Sequence, residues 1–279
     1  MKSRIITATI GIPSVYLTLW LGFPWIWLAC CIISSIAILE FYTLLPNNFP
    51  IFLKALGVFI INLLVSGDYL LNTSLLNTLS LALILIFILS FLLLVLIVLK
   101  NKIINNIEEP FKLKQNFLNS LYTFLGIIYI GIPISLLLLI RKEADGFALL
   151  TVLIFGVFAT DTFSFVTGKL LGIHKLASTI SPNKTWEGAI GGGVLGFIST
   201  ICLINILDVF DNFKITVSFA FLLVISAQIG DLLESKFKRM AKVKDTSNII
   251  PGHGGMLDRM DSIILSTVIV YPLIKWSIG

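Results

Sequence analysis

The chain has 279 residues, 57% of them hydrophobic and only 13% charged, with a mean hydropathy of +1.01. Soluble domains carry about 25% charged residues, so one or two soluble domains are excluded and a polytopic membrane protein is indicated. The net charge of +5 is modest, and its distribution along the chain says more than its size.

A spanning helix needs about 20 mostly apolar residues. Nine stretches qualify, near 5–21, 25–44, 51–70, 78–99, 118–140, 147–168, 186–207, 215–233 and 262–278. The expected fold class is therefore all-α, a single integral membrane domain over 1–279 with about nine transmembrane helices. The first stretch follows a short basic start, Met1 to Arg4, and continues past Trp20 without a clear small-residue cleavage site, which disfavours a cleaved signal peptide. Gly22, Phe23 and Pro24 make a tight turn into the second stretch, which carries Glu40 near its end. The third is the weakest, because Asn62, Ser66 and Asp68 interrupt it. After the fourth, Asn101 to Asn116 reads as a charged, solvated connection.

The sixth stretch holds Asp161 inside its apolar run, with Lys169 about two turns later. An acid inside a membrane helix is a functional candidate by default, its alternative being a buried ion pair or hydrogen bond between helices. Ser181 followed by Pro182 is a helix-start signal for the seventh stretch. A helix N-terminus beside Lys184 and Thr185 suits a phosphate; an ordinary cap with Trp186 as an interface anchor is the alternative. Gly191 to Gly196 matches G-x-G-x-x-G but follows no strand, so tight helix packing explains it better. Cys30, Cys31 and Cys202 lie in apolar stretches and read as packing residues.

The basic residues orient the chain. With the N-terminus and the loops after the even-numbered helices on one side, that side receives 16 of the 20 Lys and Arg and is assigned to the cytoplasm. An odd number of spans then leaves the C-terminus outside.

One polar run stands out on that cytoplasmic side, Asp231 to Asp261, DLLESKFKRMAKVKDTSNIIPGHGGMLDRMD. Asp231, Glu234, Ser235, Lys238 and Lys242 share the spacing of one helical face. The eighth and ninth helices are antiparallel neighbours, so their cytoplasmic ends bring Asp231 opposite Asp258 and Asp261. Converging carboxylates at that depth are costly unless a cation joins them. Oxygen ligands favour Mg²⁺, Mn²⁺ or Ca²⁺ over zinc, and magnesium completes its shell with water and substrate phosphates. The neighbouring Lys/Arg block supplies countercharge for phosphates, and Gly252, Gly254 and Gly255 permit close backbone approach and positive φ. A membrane anchor on the positive side accounts for the lysines alone, but not for three aspartates with a glycine loop. No Walker A sequence is present, the only histidines are His174 and His253, and the membrane context explains the basic block without nucleic acid.

At these residues the sequence resembles the phosphatidate cytidylyltransferases, also called CDP-diglyceride synthases. The resemblance runs through Ser235, Phe237, Lys238-Arg239, Lys244-Asp245, His253-Gly254-Gly255 and Asp258-Arg259-Met260-Asp261. The stretch Asp161 to Gly188, with Ser181-Pro182-Asn183-Lys184-Thr185-Trp186-Glu187-Gly188, resembles a second block of that family, and Glu40-Phe41-Tyr42 fits an early feature. The match is sharp over about the C-terminal half. It implies that phosphatidic acid and CTP give CDP-diacylglycerol and pyrophosphate.

On that reading Asp231 and Asp258 bind a divalent cation, with Asp261 in support; one metal or two is not decided. Lys238, Arg239, Lys184 and Lys244 hold phosphates, and His253 contacts or protonates pyrophosphate. Asp161 and Glu187 orient lysines or the nucleotide. Thr185, Ser235, Gly254, Gly255 and Arg259 complete the substrate-binding set. Residues 1–140 are assigned to scaffold and lipid access, and 147–279 to catalysis. The expected partners are CTP, phosphatidic acid and membrane lipids, with a homodimer as a further expectation. The expected location is the bacterial cytoplasmic membrane, with the site facing the cytoplasm. Two rival readings are a cation-coupled transporter with Asp161, Asp231 and Glu40 on its path, and a lipid kinase.

Overall fold

A computed structural model describes residues 2–45, 49–71, 110–250, 252 and 254–278. Their regular elements are helices apart from one small hairpin. In chain order they form α1 (Lys2–Leu21), α2 (Trp25–Thr43), α3 (Ile51–Leu71), α4 (Pro110–Gly126), a π-helical turn (Ile127–Gly131), α5 (Ile132–Lys142), α6 (Gly146–Leu171), β1 (Lys175–Ala177), β2 (Ser181–Thr185), α7 (Trp186–Ile206), α8 (Phe213–Met240) and α9 (Leu257–Ile278).

Among the described residues, five helical stretches are long and apolar enough to cross a membrane: Trp25–Thr43, Leu118–Lys142, Gly146–Leu171, Trp186–Ile206 and Phe213–Met240. Two shorter apolar helices, Thr9–Leu21 and Ile51–Gly67, fall where the first and third spans are expected. The expected span at 78–99 lies outside the described residues. The last expected span is the body of α9, a helix that also carries Asp258, Arg259, Asp261 and Lys275.

Helix α5 is apolar nearly all round, and every residue from Pro133 to Ile140 is buried, as expected of a helix at the centre of a bundle. The first half of α6 is buried beside it, from Leu149 to Val157. Its second half carries Asp161 to Lys169, which are half-buried or exposed. The π turn precedes Pro133, whose missing N–H removes a helical hydrogen bond and favours a register change there.

Helix α7 lies against α6 through Gly188, Gly192 and Gly196. A Cβ at Gly196 would meet Thr160, one at Gly192 would meet Ser164, and one at Gly188 would come within 2.8 Å of the Ser164 carbonyl. Small residues every fourth position let two backbones approach this closely, so the glycine run serves packing, as the sequence indicates. The opposite face of α7 exposes Ile190, Val194 and Ile198, an apolar surface suited to lipid.

Two local features differ from the sequence reading. Residues 181–185 form a strand instead of the first turn of a helix, pairing antiparallel with β1 through Lys175↔Thr185 and Ala177↔Ser181. The residue before a proline is pushed toward extended backbone, which favours the strand at Ser181. The cap falls four residues later, where Thr185 Oγ1 accepts the Gly188 N–H at 3.1 Å. Lys242 also leaves the helical face expected of it. Helix α8 ends at Met240, and Lys242 adopts φ +59°. The Val243 N–H then returns to the Lys238 carbonyl and the Lys242 N–H to that of Arg239, closing the helix with a left-handed residue in the position usually given to glycine.

Candidate active site

Helices α8 and α9 pack side by side and are joined by residues 241–256, so the polar run connects two helix ends at one level. On α8, Lys238 Nζ stands 3.2 Å from Glu234 Oε1 and 2.6 Å from Asp258 Oδ1 of α9. All three side chains are largely buried, so one ammonium sits between two carboxyl groups that have little access to water and offsets part of their charge. The other Asp258 oxygen accepts the Thr246 N–H at 3.0 Å, the Thr246 hydroxyl at 3.0 Å and the Gly255 N–H at 2.7 Å. The glycines make this cradle possible. Gly254 adopts φ +83°, and a Cβ there would lie 2.7 Å from Asp258 Oδ2. Gly255 is wedged between Thr246 and Glu40, where a side chain has no room.

One turn earlier on α8, Asp231 Oδ2 pairs with Lys184 Nζ of β2 at 2.7 Å. Ser235 Oγ donates to Asp231 Oδ1 at 3.4 Å. This pair lines a cavity of about 400 Å³ between α6, β2 and α8, with Asp161, Lys169, Asn183 and Gln228 also on its wall. Asp161, Asp231 and Asp261 lie within electrostatic range of one another, with Lys184 offsetting their charge at Asp161. The wall also has apolar parts, Phe165, Leu176 and Leu232. Charged and apolar side chains thus line one space.

The hairpin is held at both ends. At its base, Glu187 accepts the Ile173 N–H at 3.1 Å and the His174 N–H at 3.2 Å, and pairs with His174 Nδ1 at 2.6 Å. At its tip, Arg239 Nε donates to the Ile180 carbonyl at 3.0 Å, while Nη1 reaches the Val243 carbonyl at 3.2 Å.

The expected site residues therefore fall into two connected groups and an outer ring. Asp161, Lys184, Thr185 and Asp231 border the cavity. Lys238, Asp258, Gly254 and Gly255 form the adjoining cradle. Lys244 and Arg259 are exposed and Asp261 is half-buried. Glu187 turns to His174 and the hairpin base. His253 lies outside the described residues. The sequence reading names Glu234 on the helical face, Asn183 in the second motif block and Glu40 in an early family feature without giving them a role in the site, and it does not single out Thr246, Ser247 or Gln228. Gln228 carries a legible signal, a polar residue within an apolar helix; Thr246 and Ser247 do not, being ordinary loop residues.

The donor chemistry suits a hard cation. Carboxylate and hydroxyl oxygens dominate, and among the described residues no three Asp, Glu, His or Cys side chains form a preassembled cage. A divalent cation held by one or two of these carboxylates would take its further oxygens from water and phosphates. Asp231 is the more available carboxylate, about a third exposed beside the cavity, whereas Asp258 already has four donors.

The cytidylyltransferase family profile matches residues 2–277. The chain belongs to the cytidylyltransferase family. A phosphatidate cytidylyltransferase of Staphylococcus haemolyticus (strain JCSC1435) is 32% identical over 282 residues, 99% of this chain and 98% of that protein. One of Staphylococcus aureus (strain COL) is 38% identical over 164 residues, 59% of this chain and 61% of that protein. Another, of Rickettsia bellii (strain RML369-C), is 40% identical over 159 residues, 54% of this chain and 68% of that protein. The family match extends through the N-terminal helices, where sequence motifs are sparse. In this cytidylyltransferase α2 reaches the candidate site, because Glu40 contacts the loop that cradles Asp258.

Proposed function

We propose that the protein is an integral membrane nucleotidyltransferase that moves the cytidylyl group of CTP to phosphatidic acid, giving CDP-diacylglycerol and pyrophosphate. The observation that carries this reading is the pairing of Lys184 with Asp231 at the wall of a half-apolar cavity. It brings the two motif blocks, near 181–188 and 231–261, onto one space where a lipid phosphate and a triphosphate can meet.

An oxygen of the lipid phosphate attacks the α-phosphorus of CTP. The bond from that phosphorus to the bridging oxygen of the β-phosphate breaks, and pyrophosphate leaves with the electron pair. The attacking phosphate is already ionised, so no strong base is needed. The barrier lies in bringing two anions together and stabilising the charge in flight, which calls for positioning and electrostatics. Lys184 and Lys238 neutralise carboxylates in the free site and serve as phosphate partners when substrates enter. Arg239 and Lys244, both exposed, are further proposed phosphate partners, and Arg239 also holds the hairpin. Asp231 and Asp258 are the proposed ligands of Mg²⁺ or Mn²⁺, with Asp261 in support. Such an ion would supply charge neutralisation between attacking and leaving oxygens.

The full topology is part of the proposal: about nine spans, with the site at the cytoplasmic face of a bacterial inner membrane. Residues 1–140 act as scaffold and lipid access, and 147–279 carry the chemistry. The transporter and kinase readings are not favoured. Radiolabelled CTP with phosphatidic acid, followed for labelled lipid and pyrophosphate with and without Mg²⁺, tests the proposal. Transfer of a γ-phosphate, or solute flux without nucleotide, would overturn it.

A further inference from the structure

We propose that Glu40 of α2 is a positioning residue for the transfer reaction, holding Asp258 and the start of α9 at the cavity through Thr246. This rests on the cytidylyltransferase reading of the site. Glu40 is 2% exposed near the end of an apolar helix, where an unsatisfied carboxylate would be costly. Four donors satisfy it, all from the far end of the chain. Oε1 accepts the Ser247 hydroxyl at 2.6 Å and the Met256 N–H at 3.0 Å. Oε2 accepts the Leu257 N–H at 2.7 Å and lies 3.1 Å from the Thr246 hydroxyl, whose one proton it shares with Asp258 Oδ2.

Leu257 is the first residue of α9. The first N–H groups of a helix lack partners within it, and its N-terminus is electropositive. A side chain just ahead of the helix usually meets both needs. Here a carboxylate from another helix does so, and it ties the approach angle of α9 to α2. Thr246 carries the constraint onward, with its hydroxyl 3.0 Å and its N–H 3.0 Å from Asp258 Oδ2. Asp258 in turn fixes Lys238. One chain of contacts thus runs from the N-terminal helices to the catalytic face of α8. The tight seat of Gly255 against Glu40 and Thr246 leaves this segment no slack.

The test uses the full-length protein in detergent, as wild type, Glu40→Gln, Thr246→Val and the double variant. CTP and phosphatidic acid are the substrates, and thermal midpoints are recorded. Glu40→Gln is expected to lower kcat about tenfold or more, with KM for CTP within about threefold of wild type. Thr246→Val is expected to do likewise, and the double variant to be no worse than Glu40→Gln alone, the mark of one shared pathway. A wild-type kcat in folded Glu40→Gln, or losses that multiply in the double variant, would reduce Glu40 to a stabilising contact. Should Glu40→Gln fail to fold, Thr246→Val decides alone: it keeps the other three Glu40 contacts, and an unchanged kcat overturns the proposal. A readout free of activity accompanies these assays. Trypsin is expected to cut faster after Lys242, Lys244 or Arg259 when the clamp is removed, and equal cutting rates overturn it. A wild-type protein without CTP-dependent lipid transfer would refute the functional reading instead, leaving the tryptic comparison to judge the clamp.

Discussion

Lys238 illustrates how single side chains set this site. It lies between Glu234 and Asp258 and offsets part of their combined charge, so removing the ammonium leaves two carboxyl groups facing each other in a dry place. Removing Asp258's charge is gentler, since Glu234 still pairs with the lysine. Asp258→Asn and Asp231→Asn are therefore expected to fold, and each to lower kcat by about 100-fold or more, the scale of losing one charge-stabilising group in a transition state. Turnover with purified protein and a detergent melt decide this, and near-wild-type activity in both variants would remove them from the proposed metal set. Asp161→Asn is a separate case, and an unchanged rate would return Asp161 to packing. A second residue-level prediction concerns the end of α8. Lys242 occupies a left-handed conformation at φ +59°, which costs a non-glycine residue about 1 kcal/mol. Lys242→Gly is expected to stabilise the protein by up to about 1 kcal/mol, read as a higher melting temperature; a lower one would mean that the lysine side chain contributes more than its backbone costs.

At the scale of elements, the contact between α6 and α7 shapes the cavity, because Ser164 and Gly168 of α6 and Gly188 and Ala189 of α7 line it together. Gly192→Val would drive a branched side chain into Ser164. The expected loss is about 1–3 kcal/mol of stability for overpacking, together with a drop in activity as α7 moves off α6. Gly193→Ala is the matched control, since its Cβ would find only Gln228 Nε2 at 3.6 Å and should melt and turn over like wild type. If the two variants behaved alike, the glycine stripe would not be what positions α7. The same elements explain what sequence could tell. Helices α6 to α9 were legible because long apolar runs are cut by charges, and the glycine spacing announced close packing. The hairpin was not, because Ser181-Pro182 carries a helix-start signal as readily as an extended one. The partners of Glu40 were not either. An acid near a helix end is visible in sequence, whereas loop residues such as Thr246 and Ser247 have no periodicity to reveal what they meet.

At the scale of the whole molecule, charge is sorted to the two ends of the bundle. The pairs Lys184–Asp231, Lys238–Asp258 and His174–Glu187 lie where α6 and α9 meet the hairpin and the polar run. Lys275 and Glu143 pair at the opposite end, between the close of α9 and the turn into α6. Helix α8 links the two ends. Its 28 residues extend about 42 Å at roughly 1.5 Å per residue, more than the ~30 Å hydrocarbon core. It is thus long and apolar enough to cross, and in the proposed topology its ends lie on opposite sides of the membrane with the basic C-terminal end in the cytoplasm. The prediction uses single cysteines in a background lacking Cys30, Cys31 and Cys202, with a maleimide that cannot cross membranes. A cysteine at Ile249, which is 56% exposed, is expected to react in inverted vesicles and stay protected in right-side-out ones. A cysteine at Lys214, just inside the N-terminal end of α8, is expected to show the reverse. Labelling of both from one side would mean that α8 does not cross. Reversed labelling would put the site outside the cell, away from CTP, and the proposed reaction could not stand.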